Sequence, residues 1–93
     1  MKDVEITMTI AFLSIQKIAN KYGNVEGGWI VINQENKQAF LKELKEKLPT
    51  FPKKIRSEVK KVINMLEDKN VRQVKIKGDL LTSKLTINEK QII

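Results

Sequence analysis

The chain has 93 residues and a formal net charge of +7, from 18 basic and 11 acidic side chains; 41% of its residues are apolar and 31% charged. That is the length of one domain, residues 1–93, with enough apolar content to build a core and too much to stay disordered. With one Trp, one Tyr and three Phe the core must be aliphatic, and the lack of Cys and His excludes disulfides, thiol nucleophiles, zinc fingers and the usual base for Ser catalysis.

In the first segment Met8, Ala11, Phe12, Ile15, Ala19 and Tyr22 recur at helical spacing, with Val4 one turn earlier, and Gly23-Asn24 reads as a C-cap. Val4, Ile6, Met8 and Ile10 also alternate, and Thr7 and Thr9 favour strands. The helical reading, from about residue 5 to 22, is preferred. It places Ile6, Ile10 and Leu13 opposite the main apolar stripe, and a helix that is apolar on two sides is buried on two sides. These three residues are therefore the expected interface of a homodimer. Asp3 and Glu5 stand where a signal peptide would be positive. No stretch approaches the ~20 apolar residues that span a bilayer. The expectation is a cytoplasmic protein with no membrane partner.

Residues 23–28 read as a Gly/Asn loop, and Trp29-Ile30-Val31-Ile32 as a short strand. Asn36 suits the start of a second helix that places Phe40, Leu41, Leu44 and Leu48 on one face and stops at Pro49. Pro52 suits the first turn of a third helix, which runs to about Asp68 with Ile55, Val59, Val62, Ile63 and Leu66 inward. Two strands close the pattern, 71–76 and 84–88, expected as a hairpin over about 71–88 with Val74 opposite Ile87 and Ile76 opposite Leu85.

The order helix, strand, helix, helix, strand, strand predicts an α+β winged helix-turn-helix, with the helix-turn-helix at about 36–68 and the wing after it. Phe40-Leu41-Lys42-Glu43-Leu44-Lys45-Glu46-Lys47-Leu48 resembles the second helix of MarR-like winged-helix regulators. The run Ser57 to Asn70, with Val59, the Val62-Ile63 pair and Leu66-Glu67, is similar to their recognition helix. The resemblance covers residues 29–88 and implies a small DNA-binding transcriptional regulator. The proline-rich turn Leu48-Pro49-Thr50-Phe51-Pro52 and the Leu80-Leu81 pair in the wing depart from that family's pattern.

The positive charge is concentrated. Residues 53–84 carry ten basic and four acidic side chains, whereas residues 1–52 carry seven and six. On a helical wheel with Ile55, Val59, Val62 and Leu66 inward, Lys53, Ser57, Lys60, Lys61 and Asn64 fall on the outer arc. Lysine reaches phosphates or guanine edges, asparagine pairs with adenine, and serine meets backbone or base. Lys54 and Arg56 near the helix start, and Arg72, Lys75, Lys77 and Lys84 on the wing, are expected phosphate contacts. Double-stranded DNA is thus the expected partner. Small size and a lysine-rich composition suit a protein from a virus, plasmid or mobile element. The acids are scattered, Gly27-Gly28 is a lone pair and there is no phosphate-cradling glycine motif, so no enzyme activity, metal or cofactor is expected. The rival expectation is a protein-interaction module or inhibitor on the same fold, docking through the first helix or Leu80-Leu81.

Overall fold

The computed structural model describes residues 2–8, 13–78 and 86–91. In chain order these form β1 (Lys2–Met8), α1 (Leu13–Tyr22), β2 (Asn24–Glu26), β3 (Trp29–Asn33), α2 (Gln34–Lys47), a 3-10 turn (Leu48–Thr50), α3 (Lys53–Leu66), β4 (Val71–Gly78) and β5 (Thr86–Gln91). The α+β class agrees with the expectation. The described residues hold three helices and one five-stranded mixed sheet, ordered β2-β3-β4-β1-β5.

The first segment corrects the expected helix over 5–22. Residues 2–8 are a strand, and the helix begins at Leu13. Val4, Ile6 and Met8 are all fully buried at alternating positions, the period of a strand with one covered face. β1 runs parallel to β4, with Val4 beside Val74 and Ile6 beside Ile76, and antiparallel to β5, with Ile6 opposite Ile87. The two apolar readings of this segment were both present in the sequence, and pairing on two edges decides for the strand. Ile6 is sealed in the chain's own core and so offers no surface to the expected dimer interface. Ile10 and the Leu13 side chain lie outside the described residues.

The expected wing hairpin is also corrected. β4 and β5 are not neighbours, because β1 lies between them. Val74 pairs with Val4 on one side and Ile32 on the other, not with Ile87. Leu85, Leu80 and Leu81 lie outside the described residues. Part of the expected 23–28 loop is the short strand β2, joined to β3 through Gly27 (φ 57°) and Gly28 (φ 83°). Two successive left-handed residues make the two-residue turn that matches strand twist, and glycine adopts that conformation without a Cβ clash.

The inner face of the sheet, Ile30 and Ile32 of β3, Val74 and Ile76 of β4, and Val4, Ile6 and Met8 of β1, joins one core with Ile15, Ile18 and Ala19 of α1, Phe40, Leu41 and Leu44 of α2, and Val59, Val62, Ile63 and Leu66 of α3. All three helices therefore cover the same face. The other face carries Thr7, Val31, Lys75, Lys77, Trp29 and Asn88, and none of the three described helices packs on it.

α2 begins two residues before Asn36, and the Asn36 amide instead donates to the Tyr22 carbonyl (3.0 Å), linking α2 to the end of α1. Its inner stripe starts with a charge: Lys37 is 2% exposed. The ammonium donates to the carbonyls of Asp68 and Val71, both at 3.0 Å, and so fixes the link between α3 and β4. Burial lowers the Lys37 pKa below its ordinary value.

Two substitutions test this architecture in urea unfolding. Ile6→Ala should cost ~2–5 kcal/mol, the range for a truncated core side chain, while Thr7→Ala on the open face should cost less than about 1 kcal/mol. Equal effects would contradict the strand. Lys37→Met should cost about 1–3 kcal/mol, because the Val71 carbonyl loses its buried donor and the Asp68 carbonyl keeps only the Val71 N–H.

Candidate nucleic-acid interface

α3 has a continuous apolar stripe, with Val59, Val62 and Leu66 fully buried and Ile63 4% exposed. Packing that stripe inward leaves Lys53, Lys54, Ser57, Lys60, Lys61 and Asn64 exposed. The first turn of α3 contains no acidic residue, although the positive end of the helix dipole lies there. Lys53 and Lys54 add positive charge at the end where it is least favourable, and an anionic partner would relieve that. Glu58, half-buried on the flank, pairs with Lys61 at 3.3 Å. Such an exposed pair is weak and exchanges readily for a stronger anion.

The position of α3 relative to α2 is set by its N-terminal turn. Pro52 precedes the helix, and its carbonyl accepts from the backbone N–H groups of Ile55 and Arg56. Arg56 folds back over the turn: Nε donates to the Phe51 carbonyl (2.8 Å) and the guanidinium to that of Pro49 (3.0 Å). Arg56 therefore braces the helix-turn-helix connection, and three of its side-chain donor directions remain for solvent or phosphate. Phe51 is 5% exposed and anchors the turn in the core. The proline-rich linker is thus an ordered element with its own buried anchor.

The other expected contacts lie elsewhere. Lys75 and Lys77 alternate with Val74 and Ile76, so they point from the sheet face opposite the helices. Lys77 sits over the Trp29 ring, 5.5 Å from its centroid. Arg72 reaches Asp3 at 3.4 Å. Lys84 lies outside the described residues. The structure thus groups Lys53, Lys54, Ser57, Lys60, Lys61 and Asn64 on one helix and separates them from Lys75 and Lys77.

Sequence reasoning passed over one polar cluster. Glu43 of α2 is 16% exposed; its Oε2 accepts from Lys21 (2.9 Å) and its Oε1 from the Tyr22 hydroxyl (2.8 Å). The hydrogen bond from Lys21, then that from Tyr22, lowers the Glu43 pKa from its ordinary 4.5. The same contacts raise the pKa of Lys21 and of Tyr22. Both carboxylate oxygens are occupied, and the cluster serves as a clamp between α1 and α2. The spacing of Lys37, Phe40, Leu41 and Leu44 could have revealed the other missed residue, since it puts Lys37 on the apolar stripe.

Among the described residues no group of three or more His, Cys, Asp or Glu is placed to hold a metal ion. No described helix is long and apolar enough to cross a membrane. Comparison with protein families, curated proteins and solved structures finds no match to this chain.

The clamp has a pH signature. Folding lowers the Glu43 pKa, so its stabilisation is complete above pH 4.5 and is lost as pH falls through the folded-state value. Glu43→Gln should flatten the fall in stability below pH 4.5, measured by urea midpoints across an acid series. A mutant curve parallel to that of the unchanged protein would remove the clamp.

Proposed function

We propose that the chain binds double-stranded DNA through the exposed arc of α3, with α2, the 3-10 turn and α3 acting as a helix-turn-helix in a winged-helix-like domain. The observation that carries this reading is the exposure of Lys53, Lys54, Lys60 and Lys61 along one helix whose opposite side is sealed into the core. A helix ~10–12 Å across fits the B-DNA major groove. Lys53 and Lys54 meet phosphates at the groove edge, aided by the helix dipole. Ser57, Lys60, Lys61 and Asn64 face the groove floor, where ammonium, hydroxyl and amide groups contact base edges. The part of the wing is reduced, because β1 occupies the place beside β4 that a wing strand would take. A regulator of transcription is the role this arrangement suits.

A pair of charge-matched double variants tests the reading by fluorescence anisotropy on a random duplex. Lys60→Glu with Lys61→Glu should weaken binding about tenfold or more. Lys75→Glu with Lys77→Glu changes net charge equally but on the opposite face, and should change affinity by less than about twofold. With the two phosphate contacts assigned to Lys53 and Lys54, affinity should fall about tenfold between about 50 and 200 mM salt. Equal losses in both doubles would mean diffuse attraction without a docking face. No binding at low salt would favour a protein-interaction module instead.

A further inference from the structure

A cleft of about 300 Å³ opens between α1, α2 and the 3-10 turn, away from the outward arc of α3. Its apolar floor comes from Ile18 and Phe51, which are 6% and 5% exposed. Its rim carries Ser14, Lys17 and Lys47, all exposed. Glu43 also lines the cleft, but its two oxygens already accept from Lys21 and Tyr22. Among the described residues Lys17 and Lys47 have no ion-pair partner. The site thus combines an apolar base with two exposed ammonium groups that form no ion pair among the described residues; Lys47 acts on Glu43 only through space, and that carboxylate is already held by Lys21 and Tyr22.

We propose that this cleft binds a small amphiphilic anion, a compact apolar body with a single phosphate, sulfonate or carboxylate head. The body lies on Ile18 and Phe51, and the head sits between Lys17 and Lys47 with the Ser14 hydroxyl as a further donor. The volume decides the size class. A dry cavity of ~150 Å³ accepts a benzene ring, so twice that space takes a two-ring body. It is also at the lower limit of small-ligand sites, so it suits a compact body better than a dinucleotide. The apolar floor argues against a bare inorganic ion, which would lose hydration there without a matching donor set. The proposal stands apart from DNA binding and needs no residue of the α3 arc.

The test is a titration of the intact protein followed by amide and side-chain NMR shifts, with 1-naphthyl phosphate, 1-naphthol and inorganic phosphate as separate probes. 1-Naphthyl phosphate should saturate one site, shift Ser14, Ile18, Thr50 and Phe51, and bind at least about tenfold more tightly than either other probe. Lys17→Glu with Lys47→Glu should weaken it by about tenfold or more, with the dispersion of the spectrum retained. Binding of inorganic phosphate with equal strength would overturn the proposal in favour of a simple surface ion. Equal binding of 1-naphthol would overturn it in favour of generic apolar adsorption. Shifts confined to α3, or a double variant that binds undiminished, would place any site elsewhere.

Discussion

The N-terminal strand is hydrogen-bonded along both edges, parallel to β4 and antiparallel to β5, and its inner side chains are sealed beneath the helices. Without it β5 has no neighbour in the sheet, and β4 loses one of its two partners. The alternation of Val4, Ile6 and Met8 with Asp3, Glu5 and Thr7 then fixes which face of the sheet is apolar. A slip of one residue would turn three core side chains into solvent and bring two carboxylates into the core, so the register is strongly specified. Ion pairs on the open side agree with that register: Arg72 meets Asp3, and Lys90 meets Glu5.

Because the three described helices lie on the inner face, the sheet divides the described basic residues of α3 and β4 into two populations. Those of α3 share one outward surface, and those of β4 emerge on the far side. Within the helical layer, two buried or half-buried cations hold α3 in place. Arg56 braces its start by capping carbonyls of the preceding turn, and Lys37 braces its exit by capping Asp68 and Val71. Neither is an exposed lysine of the outer arc, so positive charge in this chain serves both framework and surface.

Much of the fold was legible in sequence. The apolar stripes of α2 and α3 predicted helices whose ends lie within two residues of Gln34–Lys47 and Lys53–Leu66, and the β-branched runs gave β3, β4 and β5. What local pattern could not decide was the segment 2–8, where apolar residues satisfy a period of two and one of 3.6 at once. The deciding information is non-local, since the strands that flank Ile6 are contributed by Ile76 and Ile87. The wing failed for the same reason. Two apolar-alternating strands can face each other or flank a third, and their own residues read alike in both cases. The exposure of Lys60, Lys61 and Asn64 was readable because Val59, Val62 and Leu66 left no other way to turn the helix. The Glu43 clamp was not, since it joins residues 21 and 22 positions apart across two elements.

Ile6 and Ile76 stand 70 positions apart along the chain and side by side in the sheet. At a ribosomal rate of about 5–20 residues per second, β1 waits roughly 4–14 s for β4 to be made. Throughout that interval its apolar side chains have no sheet to join, and the helical pattern that competes for the same residues has no rival. The nascent segment can therefore visit a helix before it is recruited as a strand, and closure of the sheet rests on a long-range pairing of the kind that slows folding.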